Sequence, residues 1–267
     1  MVIGNVGCVV FDLDDTLWNA KEELDACYEA MCVAISETRP EFQASISDQD
    51  SFRDEMKTTM SNNPDKKHDF NFVRTETLSR LTDAETATIA FDAWLQRRNR
   101  PTFFPGALEA LQELRDTGIK IGTLTDGNAD VSVIGALEAI VDFHVSAVEA
   151  GAPKPDRRAF ALCEARSGCA PANIVMVGDN IEKDVLGAQS AGWKSIWVQP
   201  SFAEVAFAGS AYDLSGSKTF SEEEAKKAAD ANVKHVVEVK DILRSWAGDN
   251  DGDGQSPVKG LKCTEDR

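Results

Sequence analysis

Short β-rich runs recur along this chain, and each gives way to a helical stretch. The runs cover residues 7–11, 119–124, 142–146, 173–177 and 195–198, with a weaker one at 233–237. Helix signals lie between them. Pro105 precedes Leu108, Leu111 and Leu114, and Gly118 closes the segment, which is the order of Pro and Gly that helix ends favour. Residues 159–167 and 181–191 carry two further helical patterns. Strand, helix, strand at this spacing predicts an α/β fold, a doubly wound parallel sheet of Rossmann-like type.

One interval breaks the rhythm. Residues 19–100 contain no strand pattern. Leu24, Tyr28, Met31 and Ile35 follow a helical period, and so do Phe72, Leu78 and Leu81, then Ile89, Phe91 and Trp94. Polar breaks fall at 45–51, 62–65 and 82–83. Arg97, Arg98 and Arg100 read as a solvated helix end. An interval this long exceeds an ordinary crossover connection. It predicts an inserted all-helical cap at 19–100, a core made of 1–18 and 101–247, and a polar, flexible tail at 248–267. In the tail, Asp249, Asp251, Asp253 and Gly254 match the first half of a calcium loop, but Gly260 stands where its bidentate Glu belongs, so a solvated tail is expected. Ser221 with Glu224 is a capping-box signal for one more helix.

Composition excludes some partners. The 267 residues carry a formal net charge of −17. Phosphate backbones need Lys/Arg patches, so nucleic acid is not expected. No apolar segment reaches membrane-span length and none has the layout of a signal peptide, so no membrane partner is expected. Six cysteines without paired spacing point to free thiols in a reducing compartment, and with it a cytoplasmic location. The oligomeric state is not legible.

The ends of the strand runs carry reactive groups. Ligands of open parallel sheets bind at the carboxyl ends of strands. The first run ends in Asp12, Asp14 and Thr16. The next is followed by Thr125, Asp126, Gly127 and Asn128, the third by Lys154 and Pro155, and the fourth by Asp179 with Asp184 five residues on. Alternate residues of an extended chain project together, so Asp12 and Asp14 share a side. Two such carboxylates call for a cation, a proton, or both between them. Each group alone reads equally as a cap or a turn residue. Four coincidences on one sheet edge favour a site.

These residues resemble the four ordered motifs of the haloacid dehalogenase-like superfamily. They are Phe11-Asp12-Leu13-Asp14-Asp15-Thr16-Leu17, then Thr125-Asp126-Gly127-Asn128, then Lys154-Pro155, then Gly178-Asp179 with Asp184. The helical interval resembles the cap of one branch. The resemblance implies a phosphatase for small phosphorylated metabolites. In that reading Asp12 is the nucleophile, forming an aspartyl-phosphate, and Asp14 the general acid and then base. Thr125, Asp126 and Lys154 bind phosphate. Asp12, the Asp14 carbonyl and Asp179 hold Mg²⁺, supported by Asp184. The charges agree: substrate phosphate and three aspartates total about minus five against one lysine, which a divalent cation would offset. Asp14 separates phosphatases from dehalogenases, because an alkoxide leaves with a proton and a halide does not. Trp18 and the segments around Phe103 and Thr125 are further similar to phosphatases acting on flavin mononucleotide or a riboflavin precursor, 5-amino-6-(5-phosphoribitylamino)uracil. There Trp18 would stack on a flat ring and Arg74 would reach a polar substituent; packing is the other reading of both. Phosphoglycolate or sugar-phosphate phosphatases, phosphoryl transferases and a non-catalytic binding protein on this fold are the alternatives.

Overall fold

The computed structural model describes residues 5–199 and 220–248. Six parallel strands form one sheet in the order β3-β2-β1-β4-β5-β6. They are β1 (Cys8–Phe11), β2 (Lys120–Thr125), β3 (Phe143–Ser146), β4 (Ile174–Gly178), β5 (Lys194–Val198) and β6 (Ala231–Val233). This is the doubly wound sheet that the recurring runs predict. Strand β1 sits in the middle, between β2 and β4. The chain moves outward from β1 to β3 and then returns to the other side of β1 for β4. That reversal makes the β1 edge the switch point where ligands of such sheets bind.

Side-chain alternation places the core on both faces. Val9 and Phe11 pack on one face with Ala107, Leu111 and Leu114, and Cys8 and Val10 on the other with Phe160, Cys163 and Trp193. All four β1 side chains are buried, as expected of a parallel strand covered on both sides.

Residues 20–98 form the helical interval. Its longer helices are α1 (Ala20–Thr38), α2 (Gln49–Asn62), α3 (Phe70–Leu81) and α4 (Ala84–Arg98). Each starts at an Asn or Asp whose side chain accepts a backbone N–H of the first turn: Asn19, Asp48, Asp69 and Asp83. Their inward residues, among them Cys27, Met31, Ile35, Phe52, Val73, Leu78, Ala90 and Trp94, make an apolar cluster separate from those of the sheet. The chain leaves and re-enters the sheet layer side by side: Trp18 bridges to Phe103, and Phe104 N–H donates to the Leu17 carbonyl at 2.8 Å.

Helix α5 (Ala107–Arg115) follows Pro105 and Gly106 as expected, and α6 (Arg157–Ser167) follows the Lys154 loop. The segment after β4 is a wide π turn over Ile181–Leu186 before a short α turn at Gly187–Ser190, where one α-helix was expected. The capping box at Ser221 and Glu224 is present and opens α7 (Glu222–Ala228). The sixth strand is displaced from its expected place: it ends at Val233, and Val236 lies in a 3₁₀ turn that leads into α8 (Val239–Gly248). Val236 is buried there, so its apolar character reflects burial in a turn. The calcium-loop residues and Cys263 lie outside the described residues. The other five cysteines are free. No helix among the described residues is long and apolar enough to cross a membrane.

Candidate active site

Each predicted motif residue of the strand ends reaches the same edge of the sheet. Asp12 continues β1 by one residue, and its N–H donates to the Val177 carbonyl of β4 at 2.9 Å. The Lys154 ammonium binds Asp12 Oδ1 at 2.7 Å, Asp184 Oδ1 at 2.6 Å and the Leu124 carbonyl at 3.1 Å. Lys154 is buried, so these three acceptors replace the water that its charge would otherwise need. Asp12, Asp179 and Asp184 each offer a carboxylate oxygen within 4.8 Å of the others.

Electrostatics differ sharply between the two carboxylates of β1's end. Burial pushes Asp12 up to about 7, against the pull of Lys154. Burial also raises Asp179 well above the carboxylate range, with Asp15, Asp184 and Asp12 adding repulsion. Burial would raise Asp14 too, but the Arg98 charge and the hydrogen bonds from Arg98 and Trp18 outweigh it and leave its affinity for protons low. Arg98 Nη2 lies 2.5 Å from Asp14 Oδ2, and Trp18 Nε1–H donates to Asp14 Oδ1 at 2.8 Å. Lys154 stays charged because its carboxylate neighbours overcome its burial.

Oxygen-rich, mutually repelling carboxylates fit Mg²⁺. Asp12 and Asp179 each offer a carboxylate oxygen for that role. Both Asp184 oxygens are already engaged, Oδ1 by Lys154 and Oδ2 by the Asn180 N–H at 3.0 Å, so Asp184 orients the lysine and the loop. A Cβ on Gly178 would overlap the Asp184 carboxylate, which explains a glycine at the end of β4.

Thr125 is buried, and its Oγ1 accepts the Gly127 N–H at 3.0 Å. A Cβ on Gly127 would lie 2.9 Å from Asp14 Oδ2 and 3.0 Å from Arg98 Nη2, so this glycine lets the β2 loop approach both. Three expectations change here. Asp126 does not offer its side chain to a phosphate: Oδ1 accepts the Lys154 N–H at 2.8 Å and Lys183 Nζ lies 3.5 Å from the other oxygen. An ionised carboxylate repels a phosphate, and here it fixes the lysine loop. Trp18 is fully buried, packed edge-on to Phe103 with ring centroids 5.4 Å apart, so it has no free face for a substrate ring. Arg98 is not a solvated helix end; it is 1% exposed and binds Asp14. The signal was available, because Ala87, Ala90, Trp94 and Arg98 fall on one helical stripe and the first three are apolar. Arg74 is buried with its guanidinium carbon 3.6 Å from the Trp94 ring centroid.

Carboxylates and a bridging lysine at the switch point of a doubly wound sheet define the class of protein. The profile of the haloacid dehalogenase-like hydrolases matches residues 6–192, and the chain belongs to that family. It is 36% identical over 118 residues to a phosphoserine phosphatase of Thermus thermophilus, an alignment covering 43% of this chain and 47% of that enzyme. It is 25% identical over 206 residues to a glyceraldehyde 3-phosphate phosphatase of Methanopyrus kandleri, covering 73% of this chain and 84% of that one. The match thus spans about half the length of the Thermus relative. A 2-haloacid dehalogenase from Pseudomonas syringae pv. tomato superposes with a TM-score of 0.73 at 26% identity, over 91% of this chain and 100% of that one.

Proposed function

We propose that this protein is a Mg²⁺-dependent phosphomonoester hydrolase for small phosphorylated metabolites, working through an aspartyl-phosphate on Asp12. The observation that carries the reading is Asp14, two residues from the nucleophile and tied to Arg98. A dehalogenase releases halide, which needs no proton, so Asp14 would have no chemical task there. A phosphatase releases an alkoxide, which needs one. The phosphatase names of the relatives in Thermus and Methanopyrus agree.

The residues divide the work as follows. Asp12 Oδ attacks phosphorus; the P–O bond to the alcohol breaks and a P–O bond to the carboxylate forms. Asp14 gives its proton to the departing oxygen and then takes one from the water that opens the acyl phosphate. In the free state Arg98 holds Asp14 as a carboxylate, the form the second step needs. For the first step the negative charge of the arriving substrate competes for Arg98 and loosens that pair, and Asp14 takes up from solvent the proton that it then donates. Lys154, the Thr125 hydroxyl and N–H groups near Gly127 face the phosphate oxygens. Asp12, the Asp14 carbonyl and Asp179 would hold Mg²⁺, which supplies charge neutralisation for two like-charged reactants. The helices of 20–98 act as a cap that selects the leaving group and excludes water.

Burial of Trp18 takes away the stacking that favoured a flavin. The substrates named for the relatives, phosphoserine and glyceraldehyde 3-phosphate, support small non-aromatic phosphates. Phosphate release across a panel that includes these, phosphoglycolate and flavin mononucleotide, with and without Mg²⁺, tests the reading. Mg²⁺-dependent release supports it; no release from any member, with halide release from 2-chloropropionate, overturns it.

A further inference from the structure

We infer that Arg74 and Arg98 form a subsite for a second anionic group on the substrate, a carboxylate or a second phosphate; the inference deepens the phosphatase reading and rests on it.

Both arginines are buried; Arg98 is paired with Asp14 but keeps free N–H donors, and Arg74 has no paired carboxylate among the described residues. Arg98 spends one nitrogen on Asp14; its Nε and Nη1 have no hydrogen-bond partner among the described residues. Arg74 pairs with no carboxylate among the described residues. Its contacts are the Trp94 ring and the Phe70 carbonyl, which lies 3.4 Å from Nη1, and its Nε is likewise unpartnered. Their neighbour Arg97 shows the ordinary solution: its Nη1 sits 2.6 Å from Glu23. Uncompensated buried guanidinium is costly, and an Arg that packs for its stem alone leaves its head in water. Burial also lowers Arg74 to about 9, as expected where no anion offsets it.

Position ties the pair to the reacting centre. Trp94, which carries Arg74 on its face, is one helical turn before Arg98 on α4. Asn71, three residues before Arg74 on α3, accepts from the Asn128 amide at 2.5 Å, and Asn99 accepts the Asp130 N–H at 3.0 Å. Both contacts go to the loop after β2 that holds Thr125 and Gly127. Arg98 thus stands at the catalytic edge through Asp14, and Arg74 lies behind it on the Trp94 ring, on a helix that touches the same loop. Free planar N–H donors match carboxylate or phosphate oxygens. A substrate with its second anion a few atoms from phosphorus would reach them.

The test uses three matched phosphates: 2-hydroxyethyl phosphate, phosphoglycolate and ethylene glycol bisphosphate. The full chain is assayed for kcat and KM, and each compound is also tested as a ligand by thermal shift. At least one of the two probes with a second anionic group is expected to exceed 2-hydroxyethyl phosphate about tenfold or more in kcat/KM, mainly through KM. Which one does so distinguishes carboxylate from phosphate. In Arg74→Met that ratio falls toward one, and in Arg74→Lys part of it returns. Because the ratio is internal to each variant, a general loss of activity does not mimic the result. Phosphate release with no preference for either probe that carries a second anionic group overturns the subsite and leaves the phosphatase reading standing. Arg74-dependent preferential binding without phosphate release supports the subsite and removes the phosphatase reading. Equal binding of all three probes with no release removes both. Should Arg74→Met fail to fold, an undiminished ratio in Arg74→Lys and Arg74→Gln overturns the subsite.

Discussion

Asp12 and Asp14 stand two residues apart, and their surroundings push them in opposite directions. Burial lifts Asp12 to about 7, while Arg98 and Trp18 hold Asp14 below the usual range. Such divergence is how one pair of carboxylates takes up two tasks. In Asp12→Asn, turnover is expected to fall by roughly 10³ or more because the attacking oxygen is gone. The thermal midpoint should move only slightly, since Asp184 still anchors Lys154. Turnover near the wild-type value would remove Asp12 from its role. Asp14→Asn separates the proton from the attack. For an alkyl phosphate its kcat should drop about 10²–10⁴-fold. For p-nitrophenyl phosphate, whose leaving group departs without a proton, the loss should be smaller by an order of magnitude or more. Equal losses on both would show that Asp14 does not act as an acid. That Asp12, Asp14, Lys154 and Asp179 gather at one edge was legible because each follows a recognisable run. The burial of Arg98 was missed because its charged neighbours Arg97 and Arg100 outweighed the apolar stripe of Ala87, Ala90 and Trp94 that it continues.

The elements explain why those side chains meet. Parallel strands bring their carboxyl ends to one edge, so residues more than a hundred positions apart, such as Asp12 and Lys154, meet without any local signal. The five stronger strands were legible from short apolar runs, whereas the sixth was misplaced because Val236 buries itself in a turn. Asp184 shows a finer limit. The π turn over Ile181–Leu186 returns its carboxylate to Asn180 N–H and Lys154, and nothing in residue spacing distinguishes that turn from an α-helix. That return needs space at Gly178. Gly178→Ala would drive a methyl into the Asp184 carboxylate, so it should cost stability by about 1–3 kcal/mol and displace the Lys154 partner. Urea unfolding checks the first effect. The second predicts that phosphate release falls more than stability alone accounts for. A variant as stable and active as the parent would mean that Asp184 is free to move and does not hold the lysine.

At the scale of the whole molecule, the net charge of −17 and the buried acidic centre make stability depend on both protons and cations. Asp12 has a folded pKa near 7, above its ordinary value of 3.8. The folded state therefore binds that proton more tightly than the unfolded chain. Without metal, this contribution is fully present below about pH 4 and is lost as pH rises through about 7. Asp179 is raised in the same direction, so it adds to the loss at neutral and higher pH. Mg²⁺ held at this edge would reverse the balance, because it would bind only the ionised carboxylates and compete with the proton. The stabilisation by Mg²⁺ should therefore be small at pH 5.5 and grow toward pH 8. At a hundredfold excess over its Kd it would reach about 2.7 kcal/mol, or roughly 5–10 °C for a protein of this size. Thermal unfolding of the full chain at several pH values, each with and without Mg²⁺, measures this directly. In Asp179→Asn the Mg²⁺-induced rise should largely disappear, while the metal-free midpoint at pH 8 should increase, since a repelling buried charge has gone. A Mg²⁺ shift that stays constant across pH, or survives in Asp179→Asn, would place the cation somewhere other than the Asp12–Asp179 edge.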